Sequence, residues 1–221
     1  MPESRAIETA QPFLPSSPRA GLQRHRQAVQ SCRGCDLYKN ATQAVFGEGI
    51  PTARIMLIGE QPGDQEDLRG RVFVGPAGKM LDRALLEIGL DRTQCYVTNA
   101  VKHFKWTPRG KRRLHQRPTA REVHACFPWL KREIEIVKPS VMVCMGATAC
   151  LAILGNQFRL TRSRGVVIRD PNYSAVIIAT IHPSAILRAP DHAGREQAYR
   201  GFVHDLKLAR ATAQAKVSRD K

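Results

Sequence analysis

The sequence predicts an α/β fold, a single domain with a central, mostly parallel four-stranded sheet and helices on both faces. Three observations carry that expectation. Short apolar, β-branched runs recur at 54–58, 94–101 and 141–146, the pattern of strands buried on both faces. Stretches with apolar residues at helical spacing separate them, which makes the crossovers helical and the strands parallel. Polar residues stand at the carboxyl ends of the runs, where open α/β sheets carry their chemistry.

Taken in order, residues 1–19 are rich in Pro and Ser without an apolar core, so they read as a flexible tail rather than a secretory signal. The domain is expected over 20–212 and a basic tail over 213–221. Residues 19–31 have helical composition and lead into Cys32-Arg33-Gly34-Cys35, followed by an irregular passage to Pro51. The strand at 54–58 ends in Gly59-Glu60-Gln61-Pro62-Gly63, a sharp turn. Met80, Leu81, Ala84, Leu85 and Ile88 share one face of a helix over 77–88, with Gly89 as its stop. The strand at 94–101 carries Asn99 near its end and opens onto a basic loop over 102–118. Thr119 and Glu122 form a capping box for a helix running to about Val137. A strand at 141–146, a helix at 147–154, strands at 166–170 and 175–181 and a closing helix over 194–212 complete the chain; the last strand delivers His182-Pro183-Ser184.

At 43% hydrophobic and 24% charged the chain has the composition of a soluble globular protein. No apolar run approaches the roughly 20 residues of a membrane span. The formal net charge of +16 suits a polyanionic partner. Between Arg92 and Arg121 there is no acid, while Lys102, Lys105, Arg109, Lys111, Arg112, Arg113 and Arg117 crowd together with Phe104 and Trp106 among them. That mixture favours a DNA-facing loop over a solvated charge run, and no long amphipathic helix carries the charges toward a membrane.

Two nucleotide motifs are excluded. The first turn lacks the G-x-G-x-x-G spacing, and a P-loop ending in Gly78-Lys79 would need glycine where Phe73 stands and Ser or Thr where Met80 stands. Six cysteines in a chain without a secretion signal point to reduced thiols or metal ligands rather than disulfides. Glu60 and Gln61, Asn99, and His182 lie at three strand ends that converge on one rim of a parallel sheet.

GEQPG at 59–63, RVFVGPAGKML at 71–81, the strand-end Asn99 and HPS at 182–184 together resemble the uracil-DNA glycosylase superfamily. Cys32-x-x-Cys35 points to its iron–sulfur branch, which includes family 4. KRRLH at 111–115, with GEQPG in place of GEGPG or GEAPG, resembles the UdgX subgroup, Leu114 replacing the more usual Ile. The resemblance spans about 32–209, and it implies a partner, uracil-containing DNA (single-stranded or duplex), acted on by a monomer in a bacterial cytoplasm.

It also implies roles. Phe73 stacks the flipped base, Asn99 reads its edge, and Gln61 and Gly63 contact uracil, Gln61 partly through its backbone. His182 stabilises charge on uracil O2, and Glu60 is the carboxylate of the first motif, which helps water or stabilises the sugar cation. Lys111, Arg112, Arg113 and Ser184 contact DNA. His115 attacks the sugar C1′ after uracil departs, leaving protein covalently joined to the abasic site. For the cofactor, a [4Fe–4S] cluster held by Cys32, Cys35, His103 and Cys126 is implied, His103 standing where family 4 has a third cysteine. A three-cysteine site with a labile iron and a Cys3His zinc site stay open beside it. Cys95, Cys144 and Cys150 read as core thiols. Two other functions also stay open: a conventional turnover family 4 enzyme, and a non-catalytic iron–sulfur protein that binds damaged DNA or carries electrons.

Overall fold

The computed structural model describes residues 9–217. In chain order its longer elements are α1 (Gly21–Ala28), β1 (Glu48–Gly49), β2 (Ile55–Gly59), α2 (Asp64–Arg69), α3 (Pro76–Glu87), β3 (Cys95–Asn99), β4 (Trp106–Arg109), β5 (Arg112–His115), α4 (Ala120–Val137), β6 (Val141–Met145), α5 (Ala147–Leu154), α6 (Leu160–Ser163), β7 (Val167–Ile168), β8 (Val176–Thr180), α7 (Pro183–Leu187) and α8 (His192–Val217). Among the described residues, no helix is long and apolar enough to cross a membrane.

The central sheet has six strands rather than the four expected, in the order β1-β3-β2-β6-β8-β7. Strands β3, β2, β6 and β8 are parallel, while two-residue β1 and β7 pair antiparallel on the outer edges. The extra strands have a simple cause: β3 and β8 leave a row of unpaired N–H and C=O groups on their free edges, and the short segments cover part of it. In register, Leu57 sits between Val97 and Val143, and Val143 faces Ile178.

Both faces of the parallel strands are buried, which is why those runs are apolar throughout rather than alternating. Leu57, Val97, Val143 and Ile178 pack with Leu81 and Leu85 of α3 and Phe202 and Leu206 of α8. Met56, Tyr96, Met142 and Ile177 face the other way, toward Leu130 of α4 and Cys150 and Ile153 of α5. The capping box holds α4 as expected: Thr119 N–H donates to Glu122 at 2.7 Å and Glu122 N–H to Thr119 at 3.3 Å.

Three expectations are corrected. The segment 102–118 is not a plain loop, because β4 and β5 form an antiparallel hairpin with Trp106 opposite His115. The N-terminal tail is expected over 1–19; residues 1–8 lie outside the described residues, but from Thr9 onward the chain packs. Ala10 is buried and its N–H donates to Ala125 O at 2.8 Å, because the Gly34 turn, having no Cβ, lets the backbone of residues 9 and 10 lie against it. At the other end, α8 continues through Val217 instead of stopping near 212, with Ala213 buried on the core; residues 218–221 of the expected basic tail lie outside the described residues.

Candidate active site

The carboxyl ends of β2, β3 and β8 meet at a cavity of about 540 Å³, within the usual range for small-ligand pockets. Gln61, Gly63, Phe73, Asn99, His115, His182 and Ser184 all line it. Parallel pairing brings them together: Gly59 is in register with Asn99, so the two strands end side by side. A side chain at Gly59 would stand 2.4 Å from Asn99 Oδ1 and 2.6 Å from the Phe73 ring. Glycine there is what lets both groups close over the end of β2.

Phe73 holds an unusual backbone, φ +52°, in the left-handed region that a bulky residue enters only under constraint. The constraint is visible. Arg92 donates to Phe73 O at 3.1 Å and to Val72 O at 2.8 Å, and is itself held by Asp82 at 2.6 Å. The Phe73 ring lies 5.8 Å from the His182 ring, centroid to centroid, tilted by 34°. Asn99 is buried, and its Oδ1 has no hydrogen-bond partner. An orphaned acceptor in a cavity wall is costly unless a ligand donor meets it. Glu66 shapes the adjacent turn, accepting from Gly63 N–H at 3.1 Å and Gly75 N–H at 2.7 Å.

The tautomer of His182 follows from its neighbours. Ser184 N–H donates to Nδ1 at 3.2 Å, and Ser184 Oγ lies 2.7 Å from the same nitrogen. Nδ1 therefore carries the lone pair, and in the neutral ring the proton sits on Nε2. Burial, then the charges of Arg188 and His115, lower its pKa to about 4, so the ring is a neutral donor near neutrality. Arg188 donates to Ser184 Oγ at 3.0 Å.

The fourth wall is the hairpin. His115 Nε2 lies 3.3 Å from Glu60 Oε1, and Glu60 Oε2 accepts from Thr148 Oγ1 at 2.6 Å. Burial and the Arg188 charge lower the His115 pKa against the opposing pull of Glu60, which keeps a lone pair on the ring at neutral pH. Gln61 ties the hairpin down with its whole amide: Nε2 donates to Lys105 O at 3.2 Å and Gln116 O at 3.0 Å, and Oε1 accepts from Lys105 N–H at 3.0 Å. Its side chain is thus a staple across the base of the hairpin.

Arg113 departs from its expected role at DNA. It donates to Asp64 and to the fully buried Asp67, both at 2.6 Å, and its guanidinium stands 5.4 Å and 5.5 Å from the Phe104 and Trp106 ring centroids. Held by these two carboxylates, Arg113 fastens the hairpin to α2. Lys111 and Arg112 are exposed at the hairpin turn.

Cys32, Cys35 and Cys126 share one buried apolar cluster at the edge of the domain. Trp129 Nε1–H donates to Cys32 Sγ and Lys102 N–H to Cys126 Sγ, both at 3.2 Å. N–H donors aimed at sulfur are what iron–sulfur clusters use to tune charge on their thiolates. Burial, with the neighbouring Cys35 and Cys32, raises the Cys126 pKa, the cost of keeping such thiolates without a cation. His103 is buried and neutral, its pKa lowered to about 4 by burial and then by Arg33, from the turn between Cys32 and Cys35. Among the described residues, no group of three or more His, Cys, Asp or Glu side chains is arranged to hold a single metal ion. The N–H donors at two of the sulfurs suit a cluster in their chemistry, while among the described residues the four expected ligands do not form a closed ion site.

Arg92, Glu66, Thr148 and Arg188 escape the sequence reading. Glu66 left a trace, three residues after Gly63 at a helix start; Arg92 and Thr148 reach residues distant in sequence, and Arg188, though bonded to Ser184 only four residues away, carries no motif.

The family model for the uracil DNA glycosylase superfamily matches residues 46–207. The chain is 38% identical over 177 residues to the type-4 uracil-DNA glycosylase of Sulfurisphaera tokodaii, covering 77% of each chain. It is 40% identical to the type-4 enzymes of Archaeoglobus fulgidus, over 169 residues, and Thermotoga maritima, over 163, in each case 73% of this chain and 81% of the relative.

Proposed function

This chain belongs to the uracil-DNA glycosylase superfamily, and we propose that it excises uracil from DNA and then bonds to the resulting abasic sugar through His115, as a UdgX-type enzyme. The base enters the cavity, stacks on Phe73, and offers its N3–H to the orphaned Oδ1 of Asn99. Cleaving the glycosylic bond sends its electron pair to uracil and leaves C1′ cationic. The neutral His182, protonated on Nε2, donates toward the charge developing on uracil O2, while Glu60 faces the sugar cation.

The observation that carries the capture step is His115 itself, an imidazole on the cavity wall within 3.3 Å of a carboxylate. Its lone pair forms the new bond to C1′, the ring becomes cationic, and Glu60 offsets that charge. A nucleophile held in place reaches effective molarities of about 10⁵ M, far above the roughly 55 M of water. The type-4 relatives favour a second reading, turnover without capture. Incubation with uracil-containing single-stranded DNA followed by a denaturing gel separates the two. A shifted protein–DNA band supports capture; free abasic DNA with no shifted band refutes it.

Cys32, Cys35 and Cys126, with His103, would hold a [4Fe–4S] cluster, whose contribution is a structural cross-link between the N-terminal turn and α4. Iron and acid-labile sulfide in anaerobically prepared protein would support it, and stoichiometric zinc would overturn it.

A further inference from the structure

We infer that Thr148 is a positioning residue that aims Glu60 at His115 and so sets how often the cationic sugar is captured instead of hydrolysed; this deepens the capture reading and rests on it. Thr148 is the second residue of α5 and is 1% exposed. Its Oγ1 lies 2.6 Å from Glu60 Oε2 and 3.4 Å from Arg117 Nε. A guanidinium only donates and a carboxylate only accepts, so the hydroxyl takes the Arg117 N–H on a lone pair and points its own proton at Glu60. One carboxylate oxygen is tied, and the other is left at 3.3 Å from His115 Nε2.

Two consequences follow from removing the hydroxyl. Glu60 regains rotamer freedom, its side chain being 22% exposed. Arg117, relieved of Thr148, becomes a direct cationic competitor for the carboxylate and draws it away from the imidazole. Capture turns a neutral ring into a cation bonded to C1′, and that product gains from a carboxylate within a few ångströms. Water attack ends in a neutral hydroxyl on C1′ once its proton has left, so that product gains nothing lasting from the carboxylate. Loss of aim therefore weakens capture more than hydrolysis.

The experiment compares Thr148→Val, which keeps shape and removes the hydroxyl, with Thr148→Ser, which keeps the hydroxyl. Each is incubated in excess with single-stranded DNA carrying one uracil, and adducts formed per abasic site left free are counted. That ratio counts only molecules that have reacted, so a fall in folded protein leaves it unmoved. Thr148→Val is expected to lower it about tenfold, the scale of one lost charge-assisted hydrogen bond, and Thr148→Ser to stay within about twofold of the parent. An unchanged ratio in Thr148→Val, or one equally depressed in Thr148→Ser, overturns the role of Thr148. A parent protein that releases uracil and forms no adduct sinks the capture reading, and this inference with it.

Discussion

The two sides of the cavity are built on different principles. On one side Asn99 and His182 stand at the ends of parallel strands whose residues are all buried, Cys95–Asn99 and Val176–Thr180, with Phe73 on the turn before α3. On the other, His115 ends a two-stranded hairpin that pairs with no strand of the main sheet and is mostly exposed. Among the described residues polar fastenings hold that hairpin, Gln61 at its base, Arg113 to α2, Lys105 to Glu122 at 2.8 Å and Trp106 Nε1–H to Asn40 O at 2.8 Å, beside a ring contact of His115 with Phe104. On the proposed reading, excision belongs to the scaffold and capture to an attachment. One half should therefore be removable without the other.

The largest expected effect breaks the hairpin half alone. His115→Ser deletes the proposed nucleophile from an exposed strand end, leaves Phe73, Asn99 and His182 in place, and opens space beside C1′ for water. Adduct formation should cease while uracil release continues past one equivalent per protein. Counting uracil released per protein beside the denaturation-resistant adduct checks it; a full yield of adduct would assign the nucleophile elsewhere. His182→Ser tests the converse. It strips the donor from the leaving group, so single-turnover release should slow by ~10²–10³, the usual cost of one such donor. Adduct should then form only as fast as uracil departs. Fast release with lost adduct would reverse the two assignments.

A third change loosens the attachment without touching either ring. Arg113→Met leaves Asp67, fully buried, without its cation, at a cost of about 1–3 kcal/mol. The hairpin should then open more often, and the ratio of adduct to free abasic site should fall several-fold while release is retained. A thermal melt with the adduct assay measures both. If stability and adduct yield hold steady, Arg113 is no fastening.

How far the sequence discloses each half follows the same division. The parallel strands were readable because burial on both faces demands uninterrupted apolar runs, and the strand-end positions of Glu60, Asn99 and His182 came with them. The hairpin was not. Trp106-Thr107-Pro108-Arg109 and Arg112-Arg113-Leu114-His115 face solvent on most sides, so no alternation marks them, and Pro108 argues against a strand until its place opposite Arg113 is seen. Strands β1 and β7, two residues each, are too short to leave a pattern. Ala10 reached the core from a Pro- and Gln-rich stretch through one backbone bond to α4. The fates of Lys111, Arg112 and Arg113 differ for a reason no local reading supplies. The acids that claim Arg113 are Asp64 and Asp67, on a different element.

That difference among three adjacent cations gives the smallest expected effect. Lys111 and Arg112 are exposed at the hairpin turn, whereas the Arg113 side chain is 18% exposed and shares its charge with two carboxylates. A cation adds to the salt dependence of DNA binding only if it displaces counterions from phosphate, and Arg113 would have to leave Asp64 and Asp67 to do so. On single strands each phosphate contact contributes a slope of about 0.7 in log affinity against log salt. Lys111→Ala and Arg112→Ala should each reduce the slope by roughly that amount, and Arg113→Met should leave it unchanged even as it weakens the hairpin. Titrations with uracil-free single-stranded DNA across several salt concentrations isolate this term from base recognition. A slope that drops for Arg113→Met as much as for Arg112→Ala would mean that DNA draws Arg113 off its carboxylates, and that the hairpin is refastened on binding.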